Sequence, residues 1–273
     1  MEVVIVDLCD DEDQSMDTSE SSRPEVNLEL VKFIKRPRNI LKIFPNHKRN
    51  TVGILEFLTG KKVGEYVNEN LRLSGYNLYV ENIVKLVTPK TWLPDVVIQN
   101  YIFLLVNNCK DTLNICTDTL ASFQKDGQKT VVNWLGNNNL LRCQRVVVLI
   151  NPNKDHWALF VVHTSNGVVY SFDSFNRSHQ KEFDLVCDFL NKAFDCISHV
   201  TGQTRIINWK INLIECPRQT NQYDCGVFAC TNARCYLLGK YFDYSQSDIR
   251  LLRQRIAFEL INTTIVEDRT SYL

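Results

Sequence analysis

The rhythm of apolar and polar positions changes twice along this chain. Up to about residue 140 the apolar residues of the compact part recur at helical spacing. Val97, Tyr101, Leu104 and Leu105 follow Trp92-Leu93-Pro94-Asp95, which predicts a helix opening there. Pro94 suits a first helical turn, and Asp95 complements the positive end of the helix dipole. A second helical stretch is expected over 118–135, including Trp134 and interrupted by Gly127 and the β-branched Thr130-Val131-Val132. The period then gives way to unbroken apolar runs at 146–150, 157–162 and 168–172. These read as strands, the second apolar on both faces and therefore central in a sheet. A helix is expected over 180–194 and a strand over 210–214. Ala229, Ala233, Tyr236 and Leu237 predict a helix with one buried face after Cys225. A last helix is expected over 247–261, with Ser247 as its cap and Ile249, Leu252, Ile256 and Leu260 inward. Helices at both ends with strands grouped between them predict an α+β domain over 71–273.

Residues 1–70 break this pattern and read as a largely disordered tail. The first 22 residues hold eight acidic residues and no basic one, whereas Arg23 to Arg49 carries eight basic residues against Glu25 and Glu29. Within the acidic part lies one apolar island, Val3, Val4, Ile5, Val6, Asp7 and Leu8, followed by Asp10 to Asp13. Four consecutive β-branched residues favour a strand, and a strand alone can bury itself only on the sheet edge of a partner. The basic stretch around Lys35, Arg36 and Arg38 suits a nuclear-import signal or a solvated linker.

Composition narrows the function classes. The 273 residues are 44% hydrophobic, enough for a sizeable core, and the formal net charge is zero. That balance argues against direct nucleic-acid binding by charge. No apolar run approaches the roughly 18–20 residues needed to span a bilayer, so no membrane association is expected. The N-terminus lacks the basic start and long apolar centre of a secretory signal. The expected setting is nuclear and/or cytoplasmic, where the ten cysteines would be mostly free thiols. Cys216, Cys225, Cys230 and Cys235 are separated by nine, five and five positions, with no C-x-x-C pair, so no metal and no cofactor is expected.

One cysteine is placed for chemistry. The polar loop Gln219-Thr220-Asn221-Gln222-Tyr223-Asp224 delivers Cys225 to a predicted helix N-terminus. There the dipole favours a thiolate, the nucleophilic form. A thiol protease also needs a base, a group to orient the base, and oxyanion donors. Among His47, His156, His163, His179 and His199, His156 stands at the mouth of the central strand. Asp173 ends the next strand. A hairpin turning around Ser165-Asn166-Gly167 sets the two about equally far from the turn, so their side chains can meet. Gln219, six residues before Cys225, is a candidate amide donor for an oxyanion.

The order His156, Asp173, Gln219, Cys225, the His156-Trp157 pair, the Asp173-Ser174 pair and the string Gln219-Thr220-Asn221-Gln222-Tyr223-Asp224-Cys225-Gly226 resemble the Ulp/SENP cysteine proteases. WLPDVVIQNYIFLL and ECPRQTNQYDCGVFAC extend the resemblance, which covers residues 72–265. It implies a papain-like fold with a central, mostly antiparallel sheet flanked by helices. It implies hydrolysis after the C-terminal Gly-Gly of SUMO-like modifiers, in precursors or conjugates. Cys225 would be the nucleophile, His156 the base and then acid, Asp173 its orienter and Gln219 an oxyanion donor. Trp92 and Trp157 match tryptophans that cover the two glycines, and Asp95 matches a residue that pairs with a basic residue of SUMO. The apolar island resembles a SUMO-interacting motif, so SUMO and sumoylated proteins are the expected partners of a monomeric enzyme. Where the family has W-L-N-D, Q-Q and Asn-Gly, this chain has W-L-P-D, Arg218-Gln219 and Asn221-Gln222, departures that bear on modifier preference. Processing of a Nedd-type modifier or ubiquitin, or an inactive SUMO-binding module, are the alternatives.

Overall fold

The computed structural model describes residues 47–59, 61–68 and 75–266. The candidate SUMO-interacting segment Val3 to Leu8 and the basic stretch at Lys35 to Arg38 lie outside the described residues. Among the described residues, eight α-helices and five strands build the domain. They are α1 (His47–Leu58), α2 (Val80–Val87), α3 (Asp95–Asn107), β1 (Thr112–Ile115), α4 (Thr117–Asp126), α5 (Gln128–Asn137) and β2 (Arg145–Ile150). After these come β3 (Ala158–His163), β4 (Val168–Phe172), α6 (Gln180–Thr201), β5 (Lys210–Leu213), α7 (Cys225–Leu237) and α8 (Ile249–Asn262).

The strands form one sheet in sequence order, β1-β2-β3-β4-β5. Antiparallel pairing holds for the centre, β2 with β3 and β3 with β4, and gives way to parallel pairing at both edges. The apolar runs follow from two-sided burial. Along β2, Val147 and Leu149 face one core, while Val146, Val148 and Ile150 face the other. Along β3, Leu159 and Val161 point to the first core, and Ala158, Phe160 and Val162 to the second. Side chains alternate along a strand, so a run apolar at every position is what a central strand between two helical layers requires. Helices α1, α2, α3, α7 and α8 fill the first core; α4, α5 and α6 fill the second.

Several elements depart from the sequence expectation. The stretch expected over 118–135 is two helices, α4 and α5, broken at Gly127, whose φ of 55° is a left-handed value that favours glycine. Pro94 precedes the helical residues of α3 and caps it, with Asp95 first inside. α6 runs seven residues past 194, to Thr201. The cap position of α8 is Asp248 and not Ser247, and Ser245 forms a capping box with Asp248 around a short 3-10 turn leading into the helix. α7 is buried nearly all round, because it lies between β3, α3 and α8 and not on the surface. Packed structure also begins earlier than residue 71. α1 lies against α8, with Ile54 and Asn50 buried and Thr51 hydrogen-bonded to Gln254.

Candidate active site

Cys225 opens α7 and is buried, 2% exposed. The loop before it is held by side chains. Asn221 Oδ1 accepts from the backbone N–H groups of Tyr223 and Asp224, both at 3.1 Å, closing an Asx turn. Asp224 accepts from Arg253 Nη2 at 2.7 Å, Asn221 Nδ2 at 2.7 Å and Gln246 Nε2 at 2.9 Å. Arg253, buried on α8, also donates to the carbonyls of Leu86, Thr88 and Thr91. One guanidinium thus ties the residue before Cys225 to the segment that leads into Trp92. Gly226 lets α3 approach α7 closely: a Cβ there would stand 2.7 Å from Ile98 Cδ1 and 3.3 Å from Leu93 Cβ.

His156 follows the 3-10 turn Pro152–Lys154 and precedes β3, while Asp173 directly follows β4. The register pairs Leu159 with Phe172, so the two functional side chains come off neighbouring strands at the same end of the sheet. His156 Nε2 lies 2.9 Å from Asp173 Oδ1, and both side chains are buried. The ring stacks beside Phe175, centroids 5.0 Å apart, and Arg177 covers that phenyl ring in turn. His156 Nδ1 is buried and has no hydrogen-bond partner. Burial works to lower the pKa of His156. The Asp173 hydrogen bond, with the charge of Asp173 and of the nearby Cys225, outweighs it and carries the ring up to about 9. Burial would raise Asp173, but hydrogen bonds from His156 and His179, with the Phe175 N–H, hold its carboxyl well below the usual range. At neutral pH the site therefore favours a charged imidazole against a carboxylate. The thiols of Cys143 and Cys216 are pushed up by burial to about 11 and about 12. The nine described cysteines are all free thiols.

Gln219 is buried and fixed in one orientation. Ser174 Oγ donates to its Oε1 at 2.6 Å, its Nε2 donates to the Asn221 carbonyl at 2.5 Å, and its backbone N–H reaches the Ser174 carbonyl. The amide donor thus points into the Asn221–Asp224 loop. Trp157 packs in the first core at 3% exposure, whereas Trp92 is 44% exposed ahead of α3. Asp95 lies at the start of α3; partial burial and the nearby Asp118 carboxylate raise its pKa.

His179 was not singled out in the sequence. Its Nε2 lies 2.5 Å from Asp173 Oδ2, opposite His156. His156, Asp173 and His179 also bring potential ligand atoms within 4.8 Å of one another. Those atoms already meet in N–H···O contacts of 2.5–2.9 Å, too short to admit an ion between them without rearrangement.

A profile of the Ulp1 protease family, C-terminal catalytic domain, matches residues 99–266. The chain belongs to the Ulp1 protease family. Ubiquitin-like-specific protease 1 of Saccharomyces cerevisiae is 21% identical over 184 residues, covering 66% of this chain and 29% of that relative. The chain thus matches less than a third of that relative's length. Among solved structures, the Chaetomium thermophilum Ulp1-like SUMO protease catalytic domain aligns with a TM-score of 0.69 at 22% identity, over 82% of this chain and 92% of that one. The C-terminal Ulp1 protease domain in complex with Smt3, the yeast ortholog of SUMO, aligns with a TM-score of 0.65 at 20% identity, over 79% and 95%. These alignments establish the Ulp1-type fold for the chain.

Proposed function

We propose that this chain is a thiol protease that cleaves after the C-terminal Gly-Gly of a SUMO-like modifier, in precursors or isopeptide conjugates. The observation that carries the reading is the buried Asp173–His156 pair, with Cys225 at a helix N-terminus near enough to help raise His156, in a member of the Ulp1 protease family. Asp173 occupies Nε2 of His156, so Nδ1 is the nitrogen left to hold the proton taken from Cys225, and the raised pKa of the ring favours that thiolate–imidazolium pair. The Cys225 thiolate attacks the glycyl carbonyl. The Cys225 backbone N–H and the second hydrogen of the Gln219 amide, the one not given to the Asn221 carbonyl, stabilise the oxyanion. His156 then gives its proton to the leaving amine, and water, activated by the same ring, releases the acyl-enzyme. Trp92 covers the two glycines, which lack side chains that would hold an indole away. Trp157, beside His156, braces this channel from the core. Asp95, near Asp118, presents negative charge to a basic residue of the modifier.

That a Ulp1 domain has been solved with Smt3 supports SUMO as the partner class. Among the described residues no helix is long and apolar enough to cross a membrane. The proposed setting is intracellular, in nucleus or cytoplasm, where the thiols stay reduced. Residues Val3 to Leu8, an apolar segment followed by acidic residues, hold SUMO near the enzyme. Replacing Val4, Ile5 and Val6 with alanine should weaken SUMO binding and spare cleavage of a small fluorogenic substrate; equal binding by the variant refutes this role.

The direct test is a SUMO probe with a thiol-reactive C-terminus, applied to wild type and Cys225→Ser. An adduct on wild type alone is expected. An adduct with a Nedd-type or ubiquitin probe but not with SUMO would replace the substrate. No adduct from folded protein would overturn the enzyme reading.

A further inference from the structure

We propose that His179 is a positioning residue, whose Nε2–H holds Asp173 Oδ2 so that the opposite oxygen stays aimed at His156. The inference rests on the protease reading above and adds a fourth member to its charge network. Three donors converge on the Asp173 carboxylate. Oδ1 receives His156 Nε2 at 2.9 Å and the Phe175 backbone N–H at 2.5 Å; Oδ2 receives His179 Nε2 at 2.5 Å. Asp173 is 5% exposed and His179 equally so, which leaves water little access to Oδ2. Without His179 that oxygen is a buried, unpartnered anionic acceptor. A carboxylate with one empty end can turn about its Cβ–Cγ bond and exchange its oxygens. His156 would then lose the fixed acceptor that sets its tautomer.

The fold makes His179 a rigid prop. It stands at the start of α6, where its carbonyl accepts the Phe183 N–H and anchors the first turn of a 22-residue helix. Its ring meets Phe160 of the central strand edge-on and lies nearly parallel to His156, centroids 6.2 Å apart. Asp173 is thereby held between two imidazoles, one belonging to the chemistry and one to the scaffold. Glu182 Oε2 stands 4.0 Å from Nδ1, beyond hydrogen-bond length, so the Nε2–H tautomer is set by Asp173.

The test combines kinetics with a readout that needs no substrate. In wild-type protein, imidazole nitrogen–proton NMR should find a proton on Nε2 of both His156 and His179, each protected from solvent exchange. His179→Ala should lower kcat on a SUMO–reporter fusion about 10- to 100-fold with KM little changed, the scale expected when a catalytic group is misplaced. The His156 Nε2–H signal should broaden in that variant. His179→Gln, whose amide nitrogen can stand where Nε2 stood, should restore both. An Nδ1–H tautomer or a freely exchanging ring at His179 in wild type overturns the proposal, even where His179→Ala fails to fold. So does an alanine variant with unchanged kcat and unchanged His156 signal. If wild type cleaves no modifier fusion, the protease reading falls while the NMR result still decides the role of His179.

Discussion

Replacing Gly226 with alanine tests how Cys225, the proposed nucleophile, is seated. A Cβ at this position would lie 2.7 Å from Ile98 Cδ1, where contacts at or above 3.4 Å are ordinary, so roughly 0.7 Å of retreat is required. Ile98 is fully buried and cannot yield into solvent. Overpacking of this kind costs about 1–3 kcal/mol. Alanine's helix preference over glycine returns about 0.5–1 kcal/mol, so the net loss should be about 0–2.5 kcal/mol. The distortion begins one residue from Cys225, and kcat/KM on a SUMO fusion should fall by about 10- to 100-fold. The clash resides in one methyl group, which Ile98→Val deletes. That change alone should cost about 0.5–1.5 kcal/mol. The remaining contacts, with Leu93 at 3.3 and 3.4 Å, are tolerable. The double variant should therefore recover most of the activity, and its stability should exceed the additive expectation by about 1 kcal/mol or more. Denaturant unfolding of the four proteins in this cycle, with kcat/KM for each, measures both quantities. Additive losses, or a Gly226→Ala enzyme as stable and active as wild type, would refute the close-approach account.

The raised His156 sets an alkaline limit. Its folded-state pKa of about 9 exceeds the ordinary 6.5, so its stabilising charge is fully present below about 6.5 and is lost as pH rises toward 9. Stability should decline across that window, as should leaving-group protonation on the alkaline limb of kcat/KM. A His156→Gln protein showing the same stability decline would exclude this origin. Asp173, held low, contributes in the opposite sense, and its share should disappear as pH falls below its ordinary value near 3.9. Arg253→Met should destabilise the domain by about 3–5 kcal/mol, because it strands the Asp224 carboxylate and releases three carbonyls. Arg253→Lys should rescue only part of this, since an ammonium cannot span the same acceptors; thermal unfolding of both variants measures it.

How much could be read from the chain depended on whether a residue's environment was local. β2 and β3 were legible because burial on both faces leaves an unbroken apolar run. The contact of His156 with Asp173 and the place of Cys225 at a helix start were legible because each residue sits at an element end and the hairpin arithmetic brings the first two together. α1 was not, since HKRNTVGILEFL is polar in its first turn and its helix is completed by a distant partner, with Gly53 seated against Phe258 and Thr51 against Gln254. β1 has four residues and gains its place only by parallel pairing with β2. His179 was in plain view as one of five histidines. Its approach to Asp173 depends on the intervening turn, in which Asn176 adopts a φ of 58°, and no periodicity encodes such a turn. Arg253 reads as a polar position on an amphipathic helix. Its acceptors lie 29 and more than 160 residues away, so sequence spacing gives no sign of the contact.

The grip of Arg253 also bears on the order of events during synthesis. The guanidinium that secures Asp224 is translated 28 residues after Cys225, and the carbonyls it gathers were made long before. A nascent chain that has extruded Cys225 but not α8 has the thiol without the clasp that joins its loop to the tryptophan-bearing segment. Domains generally fold as units, and here the unit cannot close until its last described helix arrives. Proteolytic competence should therefore be withheld from the growing chain and conferred late, when α8 docks and the two distant stretches become one piece.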